Sequence, residues 1–162
     1  MSVLVTGGAG YIGSHITYGL LDAGEDVVVL DDLSTGFRWV LPDQVHFYQG
    51  CVGDAELVHK ILRKHSVDAV IHCAGSVVVP ESIAQPLRYY HNNTCNARSL
   101  IACLVEAEVP HIIFSSTAAV YGLSEVNPVG ETAEPRPISP YGTSKLMVEL
   151  MLQDTAAAHA LS

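Results

Sequence analysis

A doubly wound α/β fold, a parallel sheet covered by helices on both faces, is what this 162-residue sequence predicts. Two observations carry that expectation. Short apolar runs alternate with longer helical patterns from end to end, and the runs are continuous Val/Ile/Leu stretches, not in-out alternations, as in strands buried on both faces. Composition agrees. A hydrophobic content of 49%, with 15% charged residues and 13 glycines, suits one core-forming domain and excludes a disordered tail.

The runs Val3 to Val5, Val27 to Leu30, Val45 to Tyr48, Ala69 to His72 and Ile112 to Phe114 predict five parallel strands. Between the first two, Ile12, Ile16, Leu20 and Ala23 recur at helical spacing, and Gly24 stops that helix. Leu57, Val58, Ile61 and Leu62 form a second apolar stripe. Pro86 and Pro140 stand where a first helical turn begins, the latter behind Ser139 as an N-cap, and a long helix is expected after each. The last helix carries Leu146, Met147, Leu150 and Met151 on one face. No sixth apolar run follows before Ser162, so the reading is one domain over 1–162 that stops short of a sixth strand. An open sheet edge on strand five, or on whichever strand the missing one would cover, and a longer parent protein are expected.

Several classes are excluded. With 17 acidic against 8 basic residues and a net charge of -9, and with the basic residues in no run, the chain is no nucleic-acid binder. Its uncharged opening has no basic leader and is punctuated by glycines and His15, which suits a strand, turn and helix, not a signal peptide or membrane span. Four cysteines without a CxxC pair are expected to be reduced thiols in a cytoplasmic protein. Eight histidines never fall at i and i+4 on one helix with an acidic third ligand, so no metal is expected.

The chemistry is expected at the carboxyl ends of the strands. Strand one runs into Thr6-Gly7-Gly8-Ala9-Gly10-Tyr11-Ile12-Gly13 and then a helix, the setting of a dinucleotide-binding turn. Gly7 permits the tight turn, Gly10 lets backbone approach a pyrophosphate, and Gly13 lets the helix pack on the sheet. Asp31 and Asp32 close the second strand, where a carboxylate can accept from ribose hydroxyls and repels a 2′-phosphate. That favours NAD over NADP, and Arg38 is the only nearby residue arguing otherwise. Tyr141 and Lys145, four apart on a helix, can aim a phenol and an ammonium at one place, and a cation beside a phenol favours the basic form. Ser115, Ser116 and Thr117 at the end of strand five offer a hydroxyl to the reacting oxygen.

Six ordered motifs span the chain: TGGAGYIGSH at 6–15, VVVLDDLSTG at 27–36, HCAG at 72–75, PLRYYHNNT at 86–94, FSSTAAVYG at 114–122 and SPYGTSKLMVE at 139–149. Together they resemble the extended short-chain dehydrogenase/reductase family, and within it the UDP-hexose 4-epimerases. The resemblance implies a Rossmann-type domain holding NAD, a UDP-sugar substrate, interconversion of UDP-glucose and UDP-galactose through a 4-keto sugar, and a homodimer paired through the helices near Pro86 and Pro140. It implies Tyr141 as the base at the C4 hydroxyl, Lys145 tuning it and binding the nicotinamide ribose, and Thr117 assisting. By the same resemblance the cofactor positions are Gly7, Gly10, Tyr11, Ile12, Gly13, Asp31, Asp32, Ser34, Thr35, Gly36, Val52, Cys73, Ala74, Gly75, Ser115, Tyr141, Lys145 and either Asn92 or Asn93.

Related readings stay open at this point. Nucleotide-sugar 4,6-dehydratases carry an Asp-Glu pair directly after the hydroxyl residue, where this chain has Ala118 and Ala119, so elimination is disfavoured. A UDP-glucuronate epimerase or decarboxylase relative, or a non-catalytic chain that binds NAD, are the alternatives. Two positions depart from the epimerase pattern: Cys51 stands where the family usually has an adenine-binding aspartate, and Val77 where some epimerases have lysine. Asp54 is expected to cap the next helix.

Overall fold

The computed structural model describes residues 1–124 and 127–162. Five parallel strands, β1 (Ser2–Thr6), β2 (Asp26–Asp31), β3 (His46–Gln49), β4 (Ala69–His72) and β5 (His111–Phe114), lie in the order β3-β2-β1-β4-β5. The chain winds outward from β1 to β3, then crosses back over β1 to β4, so the sheet reverses direction between β1 and β4. Open α/β sheets bind ligands at such a reversal.

Period-two alternation assigns the two faces. Leu4, Val28, Leu30 and Val70 pack with Val58 and Ile61 of α2 (Ala55–His65) and Leu100 and Leu104 of α5 (Asn96–Glu106). Val3, Val5, Val27 and Val29 pack on the other face with Ile16 and Leu20 of α1 (Tyr11–Asp22). Continuous apolar runs therefore report double coverage for β1 and β2. They do not for β3 and β5, the two edge strands, where every side chain is exposed or half-buried and Ile113 is 65% exposed. The β5 edge is not wholly open either: Ile112 N–H donates to Ser162 O (2.9 Å) and Ser162 N–H to Pro110 O (2.8 Å).

Helix ends follow the sequence signals. Gly24, at φ +80, ends α1 as its N–H donates to Leu21 O. Asp54 caps α2 through Leu57 N–H (3.0 Å), and Ser139 caps α6 (Pro140–Ala158) through Gly142 N–H (3.2 Å). Two expectations are corrected. The helix after Pro86 is broken into α4 (Pro86–Tyr89), a wide π turn over Tyr90–Cys95, and α5. In α6 the buried side is Tyr141, Ser144, Lys145 and Val148, while Met147 and Leu150 of the expected apolar stripe are exposed.

Candidate active site

The glycine turn leaves β1 at Gly7, whose φ of +69 lies in the left-handed region that favours glycine. Added side-chain carbon at Gly7 would meet Ala74 N at 2.6 Å, and at Gly13 it would meet Gly7 O at 2.2 Å, so β1, α1 and the loop after β4 touch backbone to backbone. Unlike α2 and α6, helix α1 starts at Gly10 with no side-chain cap and no acidic residue in its first turn. The amides of Tyr11, Ile12 and Gly13 are thus free of side-chain partners, with the positive helix end facing the reversal point. Tyr11 and Ile12 are exposed beside them.

Asp31 is buried and holds this turn. Its Oδ2 accepts from Ala9 N–H (2.9 Å) and its Oδ1 from Leu33 N–H (2.8 Å), leaving lone pairs on both oxygens. Asp32 is exposed and accepts from the Ser34 amide (2.9 Å) and hydroxyl (2.6 Å). Thr35 is exposed in the same loop, and Gly36 packs against Ala9 backbone. Arg38 turns away, donating to Leu41 O (3.1 Å) and lying over the Phe47 ring. Val52 is a core side chain between the sheet and α2.

Cys51 accepts from Gly53 N–H and Asn96 Nδ2–H, each at 3.3 Å. A thiol is a weaker acceptor than a carboxylate. Cys51→Asp is therefore expected to tighten NAD binding by about 1–2 kcal/mol, about 5- to 30-fold in Kd by calorimetry; unchanged or weaker binding would show that adenine does not reach this position.

At the other end of the cleft, Lys145 is 4% exposed and donates from Nζ to Ser115 O (2.9 Å) over the Phe114 ring. Burial lowers its pKa to about 8, with Cys73 pulling weakly the other way, so the ammonium persists at neutral pH. Burial raises the Cys73 thiol, opposed by Lys145. Tyr141 sits one turn earlier on the same side of α6, its ring edge-on to the buried Tyr89 (6.4 Å between centroids), and its hydroxyl makes no hydrogen bond among the described residues. Thr117 Oγ1 accepts from Ala119 N–H (3.2 Å), which leaves its hydroxyl hydrogen available. Ser116 instead pairs with Glu149.

Asn92 and Asn93 separate clearly. Asn93 is buried, accepts from Ser76 N–H (2.7 Å) and donates both amide hydrogens, to Ser76 O and Ser144 Oγ (3.0 Å each). It ties the Gly75 loop to α6. Asn92 is half-buried, accepts from Asn96 Nδ2–H (3.2 Å) and among the described residues donates only to Ser76 Oγ (2.9 Å), keeping one amide hydrogen. Asn96, Ser144 and Tyr89 were not among the expected site residues. Ser144 and Asn96 meet Asn93 and Asn92 of the π turn, for which the sequence carries no signal, and the Tyr89 hydroxyl bonds Val78 and Glu81 upstream.

The sequence pattern of the NAD dependent epimerase/dehydratase family matches residues 3–162. The chain belongs to that family. A UDP-glucose 4-epimerase of Azospirillum brasilense is 54% identical over 159 residues, 98% of this chain and 46% of that protein. The structure of the Brucella ovis UDP-glucose 4-epimerase in complex with NAD superposes with a TM-score of 0.96 at 40% identity, covering 99% of this chain and 49% of that one. That of the Thermotoga maritima enzyme with UDP-glucose gives 0.95 at 37%, covering 99% and 53%. The chain thus spans about half the length of the epimerase/dehydratase relatives it matches.

Proposed function

We propose that this chain forms the NAD-binding half of a UDP-hexose 4-epimerase that interconverts UDP-glucose and UDP-galactose. The observation that carries the reading is the uncapped amino end of α1, presented at the same end of the sheet as Tyr141 and Lys145. Diphosphate oxygens match its free amides, Asp31 and Asp32 match an unphosphorylated adenosine ribose, and the engagement of Arg38 elsewhere supports NAD over NADP. Of the two asparagines, Asn92 is the cofactor contact, since Asn93 has spent both amide hydrogens.

NAD, when bound, supplies the hydride acceptor and donor that inversion at C4 requires. The Tyr141 hydroxyl, without a hydrogen-bond partner among the described residues, takes the C4 hydroxyl proton and returns it. Lys145 holds positive charge beside it, and Thr117 donates to the same oxygen. Ala118 and Ala119 lack the acid and base that elimination needs, which supports epimerisation over dehydration. In calorimetry, NAD is expected to bind saturably and raise the melting temperature. Tyr141→Phe should keep that binding while slowing UDP-galactose consumption in long incubations by about 10²- to 10⁴-fold. A folded chain that fails to bind NAD would overturn the reading.

A homodimer is part of the proposal. Ile83 of α3 (Val79–Ala84), Leu87 of α4 and Leu150 of α6 are 65%, 81% and 51% exposed on helices that pack together, an apolar surface suited to a second copy. Leu87→Glu with Leu150→Glu is expected to give monomers by analytical ultracentrifugation; an unchanged dimer would place the contact elsewhere. The free cysteines support a cytoplasmic location, and no described helix is long and apolar enough to cross a membrane.

A further inference from the structure

We propose that Asp26, His46 and His65 bind a divalent transition ion of the zinc class at the end of the sheet opposite the dinucleotide cleft. Each residue offers one ligand atom, and these atoms lie within 4.8 Å of one another. No helical i, i+4 spacing links them, so inspection for such pairs misses the set. Strand register and helix length bring them together instead.

Asp26 opens β2 and His46 opens β3. His46 lies opposite Val28, two residues beyond Asp26, so alternation puts the carboxylate and the imidazole on one face. That is the face covered by α2, which runs back along the sheet and ends at His65. The two imidazole rings are 4.8 Å apart. Neither the Asp26 carboxylate nor the His46 ring makes a side-chain hydrogen bond among the described residues.

His65 is already oriented. Its Nε2 lies 2.8 Å from the Tyr48 hydroxyl, and in the tautomer that donates Nε2–H to Tyr48, Nδ1 keeps its lone pair. Ligand atoms around tetrahedral zinc stand about 3.3–3.5 Å apart, a contraction that side-chain rotation of the exposed Asp26 and His46 can supply. Two imidazoles with one carboxylate select zinc, nickel or copper over magnesium or calcium, with water in the fourth position. Such an ion would fasten the end of α2 to the edge strand β3.

The test is calorimetric titration of the chain with zinc chloride and, separately, magnesium chloride at pH 7.5. One zinc per chain and no magnesium is expected. His46→Gln and His65→Gln should each weaken zinc at least about tenfold, and wild type alone should melt higher with zinc. His46 is exposed, so its variant is expected to keep the wild-type melting temperature in chelator and the wild-type response to NAD. Absence of saturable zinc binding, or equal binding in both variants, would overturn the proposal, the latter by assigning the ion to thiols or other histidines.

Discussion

Gly13→Ala is expected to abolish NAD binding. The added methyl would lie 2.2 Å from Gly7 O and 2.7 Å from Gly8 Cα, backbone atoms that cannot rotate aside. Either α1 lifts from the sheet or the glycine turn opens, and both separate the free first-turn amides from the loop beneath them. Overpacking of this kind costs about 1–3 kcal/mol, so the melting temperature should fall by several degrees, and Kd for NAD should rise by more than about 100-fold. Gly19→Ala is the control on the same helix, with no atom within 4 Å of the added methyl; relief of backbone entropy should stabilise by about 0.5–1 kcal/mol and leave NAD binding intact. Equal NAD affinity in the two variants would show that the turn does not hold the cofactor.

The second large effect is a loss of stability in acid caused by His72. This imidazole is buried, 2.6 Å from Thr6 Oγ1 and stacked on Phe114. Burial, with a smaller contribution from the Lys145 charge, lowers its pKa from 6.5 to about 3. Below pH 6.5 the unfolded chain takes up a proton that the folded chain refuses, so stability falls as pH falls from 6.5 towards 3. Between pH 7 and pH 5 the loss is about 2 kcal/mol, measurable by urea denaturation at the two values. His72→Gln, which still offers Thr6 a polar partner, should flatten that interval whatever its effect at pH 7. An unchanged slope would mean that other groups carry the acid sensitivity.

What could be read from the residues divides along physical lines. Strands β1 and β2 and the caps at Asp54 and Ser139 announced themselves because burial and capping act over neighbouring residues. The glycine turn did so because a positive φ and backbone contact tolerate few alternatives. The exposure of β3 and β5 escaped, since a run of apolar residues does not say which strand stands at an edge. The spacing of Tyr141 and Lys145 showed that they share a side of α6, but not that this side, with Ser144, is buried in place of Met147 and Leu150, since polar composition does not announce burial. The division of labour between Asn92 and Asn93 rests on a π turn, where one extra residue per turn rotates two adjacent side chains into different surroundings. Asp26, His46 and His65 meet only through tertiary contact.

The reversal between β1 and β4 also has a temporal meaning. The glycine turn follows β1 directly, but the strand that flanks it on the other side, β4, begins only at Ala69. Until β4 pairs with β1, Gly7 has no Ala74 loop against it. An early βαβ unit of β1, α1 and β2 can assemble as it emerges, yet it remains a half-sheet with an unpaired inner edge. The glycine turn is therefore complete only once the pairing of β1 with β4, the most distant in sequence within the sheet, has formed.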